Sequence, residues 1–154
     1  MANHDYYKLS QGSYPAIVPG SNWYHVIIDP SLVQGLRANG QTGMIAADNL
    51  KVIKTYANTI LKCGFWRCIT ATDGDSTADL GSAAGGQQFH AGMDINAAAT
   101  NWARLTTPDD AVPITLSAGY IYWENLGNTI TSGQVELLIE IIVPHNVVET
   151  ILTG

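Results

Sequence analysis

Residues 134–143, QVELLIEIIV, decide the fold. Val135, Leu137, Ile139, Ile141 and Val143 recur at every second position, while Gln134, Glu136 and Glu140 mark the alternate positions. A period of two sets one apolar row on a core and one polar row toward solvent, the pattern of a half-buried antiparallel strand. Pro144 cannot donate to a ladder and stops the strand.

Working back from this strand, the same reading recurs in shorter pieces. Residues 23–28, WYHVII, are β-branched and aromatic and end at Asp29-Pro30. Residues 30–37 allow one or two helical turns, and NGQTG at 39–43 is a loop. DNLKVIKTY at 48–56 favours a strand, although Ile53 and Lys54 break its alternation. Ala57-Asn58 is a turn, and TILKCGFWRCIT at 59–70 is the next strand. Its alternation places Leu61, Cys63, Phe65 and Ile69 on one face and Ile60, Lys62, Gly64, Trp66 and Cys68 on the other. Thr77 to Leu80 suggests a short strand between turn-rich segments. VPITLS at 112–117 and YIYWE at 120–124 suggest two more, joined at Ala118-Gly119. Seven or eight short strands at regular intervals predict an all-β single domain, an antiparallel β-sandwich of jelly-roll type. The divisions are an extended arm at 1–22, the sandwich at 23–144 and a tail at 145–154.

Composition narrows the function. The chain of 154 residues is long enough for one core. Only 13% of its residues are charged, about half of the usual share of ~25%, which favours association. The net charge of −6 is uneven: residues 1–68 carry six basic and three acidic side chains, residues 69–154 one basic and ten acidic. With no basic face for phosphates, the sequence predicts no nucleic-acid binding. The asymmetry suits subunits meeting head to tail. The N-terminus MANHDYYKLSQ has neither a basic nor an apolar segment of a signal peptide, and no apolar run reaches the ~18–20 residues of a membrane span, so no membrane partner is expected.

No constellation for chemistry emerges. Cys63 and Cys68 are five residues apart on one strand, on opposite faces, too far apart to bridge. Asp73, Asp75 and Asp79 in TDGDSTAD invite a calcium reading, but Thr77, Ala78 and Ala84 occupy the positions where the loop needs a ligand, Gly and Glu. Acidic turn residues that hydrogen-bond backbone account for them better. GSAAGG lacks the Gly-Lys-Ser/Thr of a phosphate loop and reads as a flexible loop. His4, His25, His90 and His145 have no metal-ligand spacing, and no nucleophile elbow occurs. Glu136 and Glu140 share a solvated face, where a carboxylate pair could in principle serve a glycosidase. The expectation is a protein without catalytic, cofactor or metal site. Four tryptophans and seven tyrosines leave a carbohydrate-binding module as an alternative.

From residue 47 onward the sequence resembles small structural proteins of tailed-bacteriophage virions. The resemblance rests on ADNLKVIKTYANTILKCGFWRCITATDGDSTADLG, GGQQFHAGMDINAA, DDAVPITLSAGYIYWENLG and TSGQVELLIEIIVPH, about two-thirds of the chain. Lys54 and the aromatic N-terminal arm depart from the pattern. The resemblance implies a non-enzymatic capsid cement or decoration protein on the virion exterior. Its partner would be the major capsid protein, and the chain itself would be a homo-oligomer, trimer or dimer. A tail or neck component is the alternative within that class. Tyr6, Tyr7, Tyr14 and Trp23 in the arm, with Trp66 on the second strand face, are the expected contact residues.

Overall fold

The computed structural model describes residues 3–5, 19–33, 40–106 and 113–145. Ten strands lie among them: β1 (Asn3–Asp5), β2 (Gly20–Ile28), β3 (Asn49–Thr55), β4 (Ile60–Thr70), β5 (Thr77–Gly81), β6 (His90–Asp94), β7 (Ala103–Arg104), β8 (Ile114–Thr115), β9 (Gly119–Asn125) and β10 (Gln134–Val143). One sheet has the order β1-β3-β9-β5-β6 and the other β2-β10-β4-β7, with β8 pairing β4. Without β1 and β8 there are two four-stranded sheets; successive strands cross between them at every step except the β5–β6 hairpin and pair antiparallel within them, as in a jelly roll. β1 pairs β3 in parallel. The expected helical turns after β2 are a single 3₁₀ turn, Pro30–Leu32, capped by the Asp29 side chain.

β10 is the middle of its sheet, bonded to β2 on one side and β4 on the other. Its row Val135, Leu137, Ile139, Ile141 and Val143 is buried, as the alternation predicts, against Leu50, Ile53, Leu80, Ile121 and Trp123 of the facing sheet within one core cluster. Each such side chain contributes about 1.5–3 kcal/mol by leaving water.

The irregularities in the sequence pattern are β-bulges. In β3, Lys51 pairs Tyr122 and Ile53 pairs Ile121, so Val52 is the extra residue. This restores Ile53 to the core face that simple alternation denies it. In β4, Cys63 pairs Glu140 and Leu61 pairs Ile141, so Lys62 is extra. The faces read from alternation are therefore exchanged across Lys62. Leu61 shares the inner face with Gly64, Trp66 and Cys68, while Cys63, Phe65 and Arg67 point outward. The two cysteines remain on opposite faces, and both are thiols.

Gly64 leaves room for a loop residue. A Cβ there would come within 2.4 Å of Leu105 Cδ1, and Leu105 is buried while its N–H donates to the Gly64 carbonyl at 2.8 Å. Strands β8 and β9 do not form the hairpin suggested by their proximity in sequence, because they belong to different sheets. The GSAAGG segment is held in place: Gly85 N–H donates to Asn49 Oδ1 at 3.0 Å and Ser82 N–H to Gln88 Oε1 at 3.0 Å.

One end of the sandwich is tied by a buried amide. Asn125 Nδ2 donates to the carbonyls of Ile45 at 3.1 Å and Asn128 at 2.9 Å, and its Oδ1 accepts from the Ser76 hydroxyl. Asp73 accepts from the Thr131 N–H at 2.7 Å and the Ser132 N–H at 3.1 Å.

Two substitutions test this packing. Leu137→Ala should lower unfolding free energy by about 2–5 kcal/mol through the cavity it leaves. Gly64→Ala should cost about 1–3 kcal/mol by displacing Leu105. Urea denaturation followed by tryptophan fluorescence measures both; a Gly64→Ala variant as stable as the parent would refute the close approach.

Candidate interaction face

The outward side of the β2-β10-β4-β7 sheet is built in rows. Register places Ile27, Glu136 and Arg67 side by side, then His25, Leu138, Phe65 and Arg104, then Trp23, Glu140 and Cys63, then Ser21, Ile142 and Ile60. The two carboxylates belong to the central strand and are nearly covered by their neighbours, with 8% and 6% of Glu136 and Glu140 exposed. This corrects the expectation of a solvated carboxylate face: a central strand gives its outward residues a neighbour on each side.

Each carboxylate is satisfied by flanking strands. His25 Nε2 meets Glu136 Oε1 at 2.5 Å, and Arg67 Nε donates to Oε2 at 2.6 Å. Burial alone would raise the Glu136 pKa, but the Arg67 and His25 hydrogen bonds outweigh it and hold the carboxyl below its ordinary value. Glu140 accepts from the Ser21 hydroxyl at 2.8 Å and the Cys63 thiol at 3.3 Å, with Lys62 Nζ at 3.5 Å. The Ser21 bond leads the effects that lower its pKa. Burial, then the Glu140 contact, pushes the Cys63 thiol upward, away from a reactive thiolate.

Aromatic rings flank this polar centre. Trp23 is 52% exposed and Trp102 39%. The Arg67 guanidinium lies 4.7 Å from the Trp102 ring centroid and so joins Trp102 to Glu136. Phe65, Leu138 and Trp102 line a shallow apolar depression of about 220 Å³.

The expected contact residues are not gathered on this face. Trp23 lies on it. Trp66 points inward, half-buried against the core, with its ring 5.6 Å from that of His90 on the facing sheet. Tyr6, Tyr7 and Tyr14 lie outside the described residues. The grouping of Trp102 and Phe65 escaped sequence reading because β7 is two residues long and the Lys62 bulge sets which β4 residues face out. The acidic turn residues are hydrogen-bonded within the loops: Asp73 to Thr131 and Ser132, and Asp75 to Asn96 Nδ2 at 3.1 Å. Asp79 belongs to β5 instead, where it accepts from Gly92 N–H at 2.7 Å beside a bulge.

On the other sheet, Glu124 stands directly opposite Asp79, and both are buried. Burial first, then the Asp79 charge, raises the Glu124 pKa. Lys51 Nζ lies 4.7 Å from the Tyr120 ring centroid on the same face.

These features define an all-β jelly roll with a mixed aromatic and charged outer face. No protein-family profile and no curated protein sequence matches the chain. Two solved structures share the fold. A chain of the cyanophage Pam1 capsid asymmetric unit aligns with a TM-score of 0.58 and 15% identity, covering 86% of this chain and 92% of that one. A chain of the capsid of Ralstonia phage GP4 aligns with a TM-score of 0.61 and 10% identity, covering 92% of this chain and 97% of that one.

Opposite pH signatures follow from the carboxylates. The depressed pKa of Glu136 supplies stability that is present above its unfolded pKa and lost as pH falls through the folded value. The raised pKa of Glu124 works the other way, since its ionisation at neutral pH opposes folding. Glu124→Gln should therefore raise stability at neutral pH and lose that advantage as the medium becomes acid. Arg67→Ala should cost about 1–3 kcal/mol at neutral pH, and less in acid once Glu136 is protonated. Denaturant melts across the acid range would read both trends; a Glu124→Gln variant destabilised at neutral pH would contradict the first.

Proposed function

We propose that the chain is a non-enzymatic structural component of a phage virion, acting as a capsid cement or decoration protein that binds the major capsid protein and stiffens the shell. The observation that carries this reading is the breadth of the two capsid likenesses. Each spans nearly the whole of both chains, so the matched proteins are themselves small domains about the size of this one. Low charge and an outer face combining exposed indoles with neutralised carboxylates suit a protein that works by contact. Many copies, each burying a modest area, would reinforce a shell together through multivalency.

A sugar-binding role is the second reading, favoured by the exposed Trp23 and Trp102 rings on one sheet face. Quantitative mass spectrometry of purified virions from the source tests the first. Copies approaching those of the major capsid protein are the expected result. A handful of copies would indicate a tail or neck component, and absence would overturn the virion reading. Quenching of tryptophan fluorescence by oligosaccharides, lost in Trp102→Ala, would then support the second.

A further inference from the structure

Among the described residues, the exposed charges are segregated by position in the fold. Strand directions bring the loops containing Asp73 and Asp75, the end of β6 at Asp94 and the β9–β10 connection to one end of the sandwich. Asp73, Asp75 and Asp94 are all exposed there. Their hydrogen-bond partners on Thr131, Ser132 and Asn96 are neutral, so the negative charge is retained. Among the described residues these loops hold no Lys or Arg. The same end exposes Leu32 (51%), Ile45 (41%) and Leu126 (41%). Ile45 and Leu126 are drawn together because Asn125 bonds the Ile45 carbonyl.

The outer face of the β2-β10-β4-β7 sheet has the complementary character. It carries Lys62, Arg67 and Arg104, three of the chain's seven Lys and Arg residues. Glu136 and Glu140 pair with Arg67 and Lys62, so three cations against two carboxylates leave the face one positive charge in excess, with Arg104 exposed beside Trp23 and Trp102.

We infer that the acidic, apolar end of one copy docks on the basic, aromatic face of a second copy of this chain. Both halves of the contact are present on every molecule, and each pairs opposite charge around apolar side chains. The contact is heterologous, because the two patches differ. One looks along the strands and the other across them, so each added copy turns relative to the last and a small ring can close. The inference concerns contacts between copies and does not depend on the capsid reading.

Charge exchange tests it. One variant carries Asp75→Lys and Asp94→Lys; the other carries Lys62→Glu and Arg104→Glu. All four positions are exposed, and circular dichroism with thermal melting checks that each variant folds. By sedimentation velocity the parent should associate at low salt and weaken as salt screens the contact. Each variant alone should be monomeric, because like charges then face one another. Their equimolar mixture should associate again, since each variant's reversed surface meets the other's reversed surface. Neutral Asp75→Asn with Asp94→Asn, which disturbs the Asn96 bonds less than lysine does, should give intermediate association. A monomeric parent, variants that associate like the parent, or a mixture that stays monomeric would each overturn the inference.

Discussion

The fold depends on β10 having a hydrogen-bonded strand on both sides. That position makes its inward row the spine of the core, and it fixes the register of β2 and β4 by way of the same ladder. It also creates a problem that an edge strand would not have. An outward side chain in the centre of a sheet is shielded by neighbours on both flanks, so Glu136 and Glu140 are nearly buried although they face away from the core. Leaving such carboxylates unpaired would oppose folding. The flanking strands supply what is needed: His25 and Ser21 from β2, Arg67, Cys63 and Lys62 from β4. The polar composition of the two flanks thus follows from two residues of the central strand.

The bulges are the second determinant. Lys62 and Val52 each insert a residue, and each moves the remainder of its strand to the other face. Without the Lys62 bulge, Leu61 and Trp66 could not share the inner face, nor could Cys63 and Arg67 both reach outward to the glutamates. The local insertion therefore builds the core and the outer face together.

The sequence made the sandwich legible where one face dominates. QVELLIEIIV reads correctly because β10 is long, regular and strictly alternating. Strands β2, β3 and β4 are likewise found, as is the Ala57-Asn58 turn, where Asn58 adopts a left-handed φ of 64°. What eluded reading is non-local. Alternation cannot register a bulge, so Trp66 is set on the face opposite Leu61 although the two share the inner side of β4, and Ile53 seems out of pattern. The two-residue strands β7 and β8 have no period to detect, and the sheet to which each belongs is decided by partners far away in sequence. The loops at 72–76 and 127–133 read as turns, but their mutual bonding through Asp73 and Asn125 has no sequence signal.

The paired glutamates also divide the apolar groups of the outer face, where the indoles are exposed. Leucine or methionine at positions 136 and 140 would remove the desolvation cost of two carboxylates and could stabilise the isolated domain. They would also join Leu138, Phe65, Ile142 and the tryptophans into one continuous apolar surface, the kind of patch that drives indiscriminate association. With carboxylates there, the apolar groups are divided into separate clusters, each bordered by a fixed charge. Arg67 illustrates the arrangement: it neutralises Glu136 and stacks on Trp102, holding the ring at one orientation. A ring held in this way loses little entropy on contact. The face is consequently organised before any partner arrives, and its charges restrict which surfaces can match it.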